Sequence, residues 1–414
     1  MNNLLYWVWL SEKCTPNTPI FSILYHHFGS IEKVYESTEE ELKSIYGLTQ
    51  AKIRSLLDKR TTRAQEILNE CLKNNISILP YSEELFPTRI RTIKNPPVLL
   101  YYKGKLPEFD KELCIGTVGT RNPSPYGYRC AYEIAFDLAI SGTYVISGMA
   151  LGIDSVCHNA ALDAGGKTVA VLGCGIDIVY PKENADLYNR LSANSTIISE
   201  YSPGTSATRY TFPQRNRIIS GLSLGTLIVE AQQRSGAMIT AQMAAEQNRD
   251  VFAIPGRVGE LNSIGPNLLI RSGAKSVSHA DDILREYEFL FPDKIKLLKK
   301  AEKPKKNPYA ALNGNPNPVV KTKTSGYSSI AEQNSENTHT ETDHVTEESK
   351  EYLKNLPEEQ KNICMCLSKI QPVTLEEIVN ITGYSVSDTM SALTILEIQG
   401  IVNAVPGGGF LLAQ

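Results

Sequence analysis

The sequence predicts an α/β fold: a doubly wound, mainly parallel sheet, with a helical module before it and a small helical domain with a hairpin after it. Three observations predict this. Between about residues 111 and 288, short apolar runs alternate with helical segments, the pattern of parallel strands joined by crossover helices. Nearly every one of those runs ends in a glycine-rich turn. From 297 to 355 the composition shifts to Lys, Asn, Pro, Ser, Thr and Glu with few apolar residues, and order returns only beyond Pro357.

A chain of 414 residues has room for two or three domains of roughly 100–200 residues each. The net charge of −3 speaks against a surface that coats nucleic acid everywhere, but it leaves room for a local basic cleft. No apolar run approaches the ~20 residues of a membrane span. The apolar start, Met1 to Leu10, lacks a basic flank and a cleavage-type segment, so it reads as a packed helix. Eight cysteines are scattered with no Cys-x-x-Cys pair, which suits buried free thiols in a reducing cytoplasm and no bound metal.

Residues 1–75 read as helices. Phe21 to His27 is amphipathic, and Gly29-Ser30 stops one helix and caps the next. Thr38 precedes Glu39-Glu40-Glu41, a cap with acids in the first turn. Leu42 to Tyr46 and Gln50 to Asp58 flank Gly47-Leu48-Thr49, a helix-hairpin-helix-like unit (SAM-like in outline). With one hairpin glycine where a phosphate grip uses two, DNA contact and a structural or partner-binding role both stay open. Residues 76–106 supply two short strands for the sheet edge, Ile76 to Pro80 and Val98 to Tyr102.

The main sheet domain spans 76–290. Its strands are predicted at 113–118, 143–147, 168–172, 196–199, 226–230, 250–254 and 275–277. Its helices are predicted at 126–140, 153–163, 184–192, 213–221, 238–247, 266–271 and 280–287. A linker at 297–355 leads to a domain at 356–414. There, helices Glu358 to Lys369, Leu375 to Ile381 (capped by Thr374) and Asp388 to Gln399 (capped by Ser387) precede a hairpin around Gly407-Gly408-Gly409. This is a winged-helix layout. Its third helix, DTMSALTILEIQ, has no Lys or Arg, which favours packing or protein contact over DNA reading.

In open α/β sheets ligands sit over the carboxyl ends of the strands. Here those ends carry Gly119-Thr120-Arg121, Gly148-Met149, Tyr180-Pro181-Lys182 and Arg234-Ser235-Gly236. Phe212-Pro213-Gln214-Arg215-Asn216-Arg217 adds two cations and an amide, with Pro213 placing them near a helix start. Separate cations at several strand ends fit a polymeric anion, and Phe212, Tyr201, Tyr210 and Met149 are candidates to stack on bases. Gly165-Gly166-Lys167-Thr168 has Ala161 where a P-loop has glycine and joins a helix to a strand, so it reads as a helix end. Gly173-Cys174-Gly175 lacks the third glycine of a dinucleotide fingerprint. No nucleotide cofactor is expected. His158 reads as a packed histidine.

An enzymatic alternative rests on Gly221-Leu222-Ser223-Leu224-Gly225-Thr226 with Glu230. The run is similar to the Pro-Gly-Gly-x-Gly-Thr-x-x-Glu signature of nucleotide phosphoribohydrolases. Here, though, the glutamate is displaced by one residue and the leading Pro-Gly-Gly is absent.

Taken together, the motifs resemble the DNA-processing protein A family (DprA/Smf). They comprise Val118 to Arg121, Ser147 to Ser155, Ala170 to Gly175, Tyr180 to Asn184, Ser199 to Gly204, Phe212 to Ile219 and Arg234 to Thr240, in that order. The resemblance implies a non-enzymatic, cytoplasmic protein with an extended Rossmann-like domain. It would bind single-stranded DNA during natural transformation, protect it, help load the RecA recombinase, and act as a dimer. Carried over by position, Arg121, Lys182, Arg215 and Asn216 would line the strand. Leu269 and Ile270, within Asn267 to Val277, would lie at the dimer contact.

Overall fold

A computed structural model describes residues 2–292, 294–295, 356–367, 373–398, 401–405 and 409–412. The predicted linker and the glycines at 400, 407 and 408 lie outside the described residues. The chain divides into two units, the first ending before the linker's midpoint and the second containing the winged helix.

The first unit begins with six helices: α1 (Asn2–Lys13), α2 (Ile20–Phe28), α3 (Ile31–Glu36), α4 (Glu39–Ser44), α5 (Gln50–Leu57) and α6 (Thr62–Lys73). The expected caps form. Ser30 accepts from the Lys33 N–H, and Thr38 makes a reciprocal capping box with Glu41. Four consecutive residues of α1, Trp7 to Leu10, are buried because helices and a strand surround it. Their core continues into the sheet through Val98, Leu99 and Tyr101.

Two edge strands follow, β1 (Ser77–Pro80) and β2 (Leu99–Gly104), separated by the short α7 (Thr88–Arg91). Alternation then sets in with β3 (Cys114–Val118), α8 (Pro125–Ile140), β4 (Tyr144–Ser147), α9 (Ile153–Asp163), β5 (Lys167–Leu172), α10 (Ala185–Asn194) and β6 (Thr196–Ser199). It continues through α11 (Thr211–Leu222), β7 (Gly225–Ile228), α12 (Gly236–Glu246), β8 (Asp250–Ala253), α13 (Ile264–Arg271), β9 (Lys275–Ser276) and α14 (Ala280–Tyr287). Helices α11 and α13 each start two residues before the proline taken as their first residue. Pro213 and Pro266 sit in the first turn, where no intrahelical N–H bond is lost.

The nine strands stand in the order β1-β2-β6-β5-β4-β3-β7-β8-β9. The β1–β2 and β2–β6 pairs are antiparallel, and every other pairing is parallel. One face is covered by α8, α9 and α14, the other by α7, α11 and α12. With both faces covered, β3 is buried at every residue. The chain builds outward from β3 to β6, then returns to place β7 on the other side of β3. The crevice between the carboxyl ends of β3 and β7 is therefore the switch point of the sheet.

The second unit holds α15 (Glu358–Cys366), β10 (Val373–Thr374), α16 (Leu375–Thr382), α17 (Val386–Ile398), β11 (Val402–Val405) and β12 (Gly409–Leu412). Its strands run in the order β10-β12-β11. Thr374 caps α16 through a box with Glu377. The cap of α17 is Ser385 and not Ser387. The Asp388 N–H donates to Ser385 Oγ at 3.1 Å while the Ser385 hydroxyl bonds the Asp388 carboxylate, so the box lies two residues earlier than expected.

Candidate nucleic-acid interface

The loop after β3 is held from both sides. Thr120 N–H donates to the Glu230 carbonyl at 2.7 Å, and Ile153 N–H donates to the Thr120 carbonyl at 3.1 Å. Gly119 and Thr120 are half-buried, which leaves Arg121 exposed at the tip. Its guanidinium lies 5.6 Å from the ring centroid of Phe212. Phe212 in turn meets Tyr180, centroids 5.3 Å apart. Arg121 makes no ion pair among the described residues, so its charge is left facing solvent over an aromatic surface.

These groups line a cavity of about 580 Å³. Asn216, Ser235 and Gly236 line it too, as do Arg215, the Gly119 loop and Arg209, a residue outside the predicted set. Arg209 stands 4.8 Å over the Tyr210 ring and donates to its hydroxyl at 2.6 Å. The clue was an Arg-Tyr-x-Phe run, a cation interleaved with aromatics. Lys182 is exposed beside the cis Tyr180–Pro181 peptide but does not line the cavity. Arg234 is exposed and faces a neighbouring cavity of about 1000 Å³, which shares Ser235 and Gly236 with the first and also reaches Leu269. Leu269 and Ile270 are half-buried on α13, next to the edge strand β9.

Arg217 and Met149 depart from expectation, and Arg215 lines the cavity only from its floor. Arg215 is 4% exposed. Its Nη1 donates to the Gly148 carbonyl at 2.7 Å and to the Val171 carbonyl, and its Nε to Asn216 Oδ1 at 3.2 Å. The guanidinium occupies the space over Gly148, where a Cβ would come within 2.5 Å of it. Beside it Asp154 accepts from the Gly148 and Ala150 N–H groups at 3.1 and 3.4 Å. Burial raises the Asp154 pKa and the Arg215 charge pulls it back.

Arg217 is also interior, with Nη2 on both oxygens of Glu200 at 2.6 and 2.8 Å. Helix α11 begins at Thr211, so both arginines lie past its first turn on side chains that reach into the sheet. Arg215 ties the loops from the floor of the cavity, and Arg217 lies beneath it, outside the cavity lining. Met149 is fully buried with φ 56°, its carbonyl accepting from Asn184 Nδ2 at 2.9 Å, so it offers no stacking face. Tyr201 is buried, with its hydroxyl donating to Gln214 Oε1 at 3.0 Å. No local motif marks Asp154 or Glu200 as partners of these arginines.

His158 is fully buried, with Nδ1 2.7 Å from Thr168 Oγ1. Burial, and after it the Arg215 charge, hold its pKa down to about 3, so it is neutral. Glu230 lies at the amino end of α8. Its carboxylate accepts from the Ser124 N–H at 2.9 Å and from the Ser124 hydroxyl, and a Cβ at Gly127 would come within 2.2 Å of it.

Comparison with known proteins agrees with this layout. Residues 77–288 match the family model described as DNA recombination-mediator protein A, and residues 347–408 match the DprA winged helix domain. The chain is 31% identical to protein Smf of Synechocystis over 97% of both sequences. It is 36% identical to the DNA processing protein DprA of Bacillus subtilis over 57% of this chain and 80% of that one. In three dimensions it resembles DNA processing protein A from Streptococcus pneumoniae, with TM-score 0.60 and 32% identity over 69% of this chain and 98% of the other. Two family models in register with the sheet domain and the winged helix, and a relative matched from end to end, make this chain a member of the DNA-processing protein A (DprA/Smf) family of recombination mediators.

Proposed function

We propose that the protein binds single-stranded DNA along the carboxyl edge of its sheet, shields a strand entering during natural transformation, and helps load RecA on it. The observation that carries this reading is the exposed Arg121 guanidinium over Phe212 and Tyr180: one phosphate-binding charge set on an aromatic surface that any base can stack against. Arg209 and Lys182 extend the positive rim, and Arg215 acts from below by fixing Gly148. Residues 76–290 carry the strand, while 1–75 and 356–414 serve partners or packing. Two copies associate through Leu269 and Ile270, and the protein works in the cytoplasm. No helix among the described residues is long and apolar enough to cross a membrane.

A gel shift with single- and double-stranded oligonucleotides across a salt series tests the reading. Salt-sensitive binding that favours single strands with little sequence preference is expected. Equal binding of both forms would overturn it. RecA loading is read from strand exchange on DNA already covered by single-strand-binding protein, with and without this protein.

The enzymatic reading has less support. The Glu230 carboxylate is already engaged by the Ser124 N–H and hydroxyl at the amino end of α8. Release of free base from nucleoside monophosphates, abolished in Glu230→Gln, would restore it.

A further inference from the structure

A third cavity, of about 1080 Å³, opens on the other side of the Thr120 loop, over the β3/β7 switch point and the end of β8. Thr120 and Gln232 border both this cavity and the one that holds Phe212, so the two are separated by a single wall. Two arginines line it, Arg129 from the second turn of α8 and Arg257 from the loop after β8. Both are exposed, and neither side chain has an ion pair or hydrogen bond among the described residues. Between them lies Tyr126, 41% exposed, with its hydroxyl donating to the Pro255 carbonyl at 2.8 Å. That bond fixes the ring as a rigid platform across the gap between α8 and the β8 loop. Two acids line it as well, Glu260 exposed on the rim and Glu230 buried and held by Ser124, so the exposed charge is mostly that of the two arginines.

The usual anion position in such a crevice is the amino end of the helix. Here it is filled by Glu230. A phosphate entering the cavity is therefore directed outward, to Arg129 and Arg257, beside a stacking ring. This is the same chemistry as Arg121 with Phe212, repeated one wall away. We propose that this cavity is a second nucleotide station for the same strand, with a base on Tyr126 and its phosphates between Arg129 and Arg257. The proposal rests on the single-strand reading given above.

The test is binding of oligo-dT from about 4 to about 30 nucleotides by fluorescence anisotropy across a salt series. The full-length protein is compared with Arg121→Glu, Arg129→Ala/Arg257→Ala and Tyr126→Leu, each checked for an unchanged melting curve. The double variant should bind the shortest oligomers like the wild type and lose the extra affinity of the longer ones. Its salt slope on long oligomers should fall by about 1.4, roughly 0.7 per phosphate contact removed. Tyr126→Leu should weaken long-oligomer binding roughly tenfold. A photocrosslink from 5-iododeoxyuridine-substituted long oligomers should map to Tyr126. Wild-type affinity and slope in the double variant, or an equal loss at every length, would overturn the second station. Intact short-oligomer binding in Arg121→Glu would instead overturn the first.

Discussion

The rim and the layer directly beneath it use the same residue type in opposite ways. On the rim, Arg121 and Arg209 lie over aromatic rings with their charge facing solvent. Below, Arg215 and Arg217 are spent on carbonyls and on Glu200. A buried guanidinium is tolerated only when paired and hydrogen-bonded, so the lower pair is a structural commitment. An exposed one is cheap to place and free to meet a ligand. The difference shows that a cation in a motif says little about its task until its burial is known.

Substitutions should separate the two layers. The largest effect is expected from Arg217→Ala, which strands the Glu200 charge inside. It should cost about 3–5 kcal/mol in a denaturant melt. DNA binding by the fraction still folded should change far less. Arg121→Glu should do the reverse, lowering single-strand affinity by roughly a hundredfold, about 2.7 kcal/mol, with stability within about 0.5 kcal/mol of wild type.

Gly148→Ala drives a Cβ into the Arg215 guanidinium and should cost about 1–3 kcal/mol. It couples the layers, so affinity and melting temperature should fall together. An affinity loss without a stability loss would show that Gly148 meets the strand directly.

Acid should act on the lower layer first. The unfolded chain protonates His158 as pH falls through its ordinary 6.5, while the folded protein resists down to about 3. Stability should therefore drop below pH 6.5, by about 1.4 kcal/mol per pH unit from this group. A His158→Gln variant should show a correspondingly flatter stability profile. The smallest effect is expected from Phe212→Leu, which removes the ring under Arg121. It should weaken binding by about 1 kcal/mol, roughly fivefold in anisotropy titrations, the low end for loss of a base-stacking ring.

Much of the architecture was legible because it is written locally. Alternating apolar runs marked the strands, and Gly119-Thr120-Arg121 announced a strand-end loop with an exposed cation. What the sequence hid depends on distant partners. Nothing near Arg217 in the chain names Glu200, and nothing near Arg215 says that Gly148 leaves room for a guanidinium. Met149 looked available for stacking because it sits in a loop, yet the loop folds it inward. Pro213 suggested a helix start, and the two-residue error made Arg215 and Arg217 look terminal. Arg209 and Tyr126 were overlooked because each lies outside the repeated glycine-rich strand ends.

Glu230 has one more consequence, for selectivity. A protein that handles a polynucleotide works amid free nucleotides carrying the same bases and phosphates. By setting its own carboxylate at the start of α8, with Gly127 making the room, the chain fills that helix end, so a lone phosphate does not find it open. On the proposed strand path a monomer would be left with single weak contacts, whereas a strand would make several at once, their effects multiplying through effective concentration. Preference for polymer over monomer would then need no gate and no clash, only a seat that is already taken.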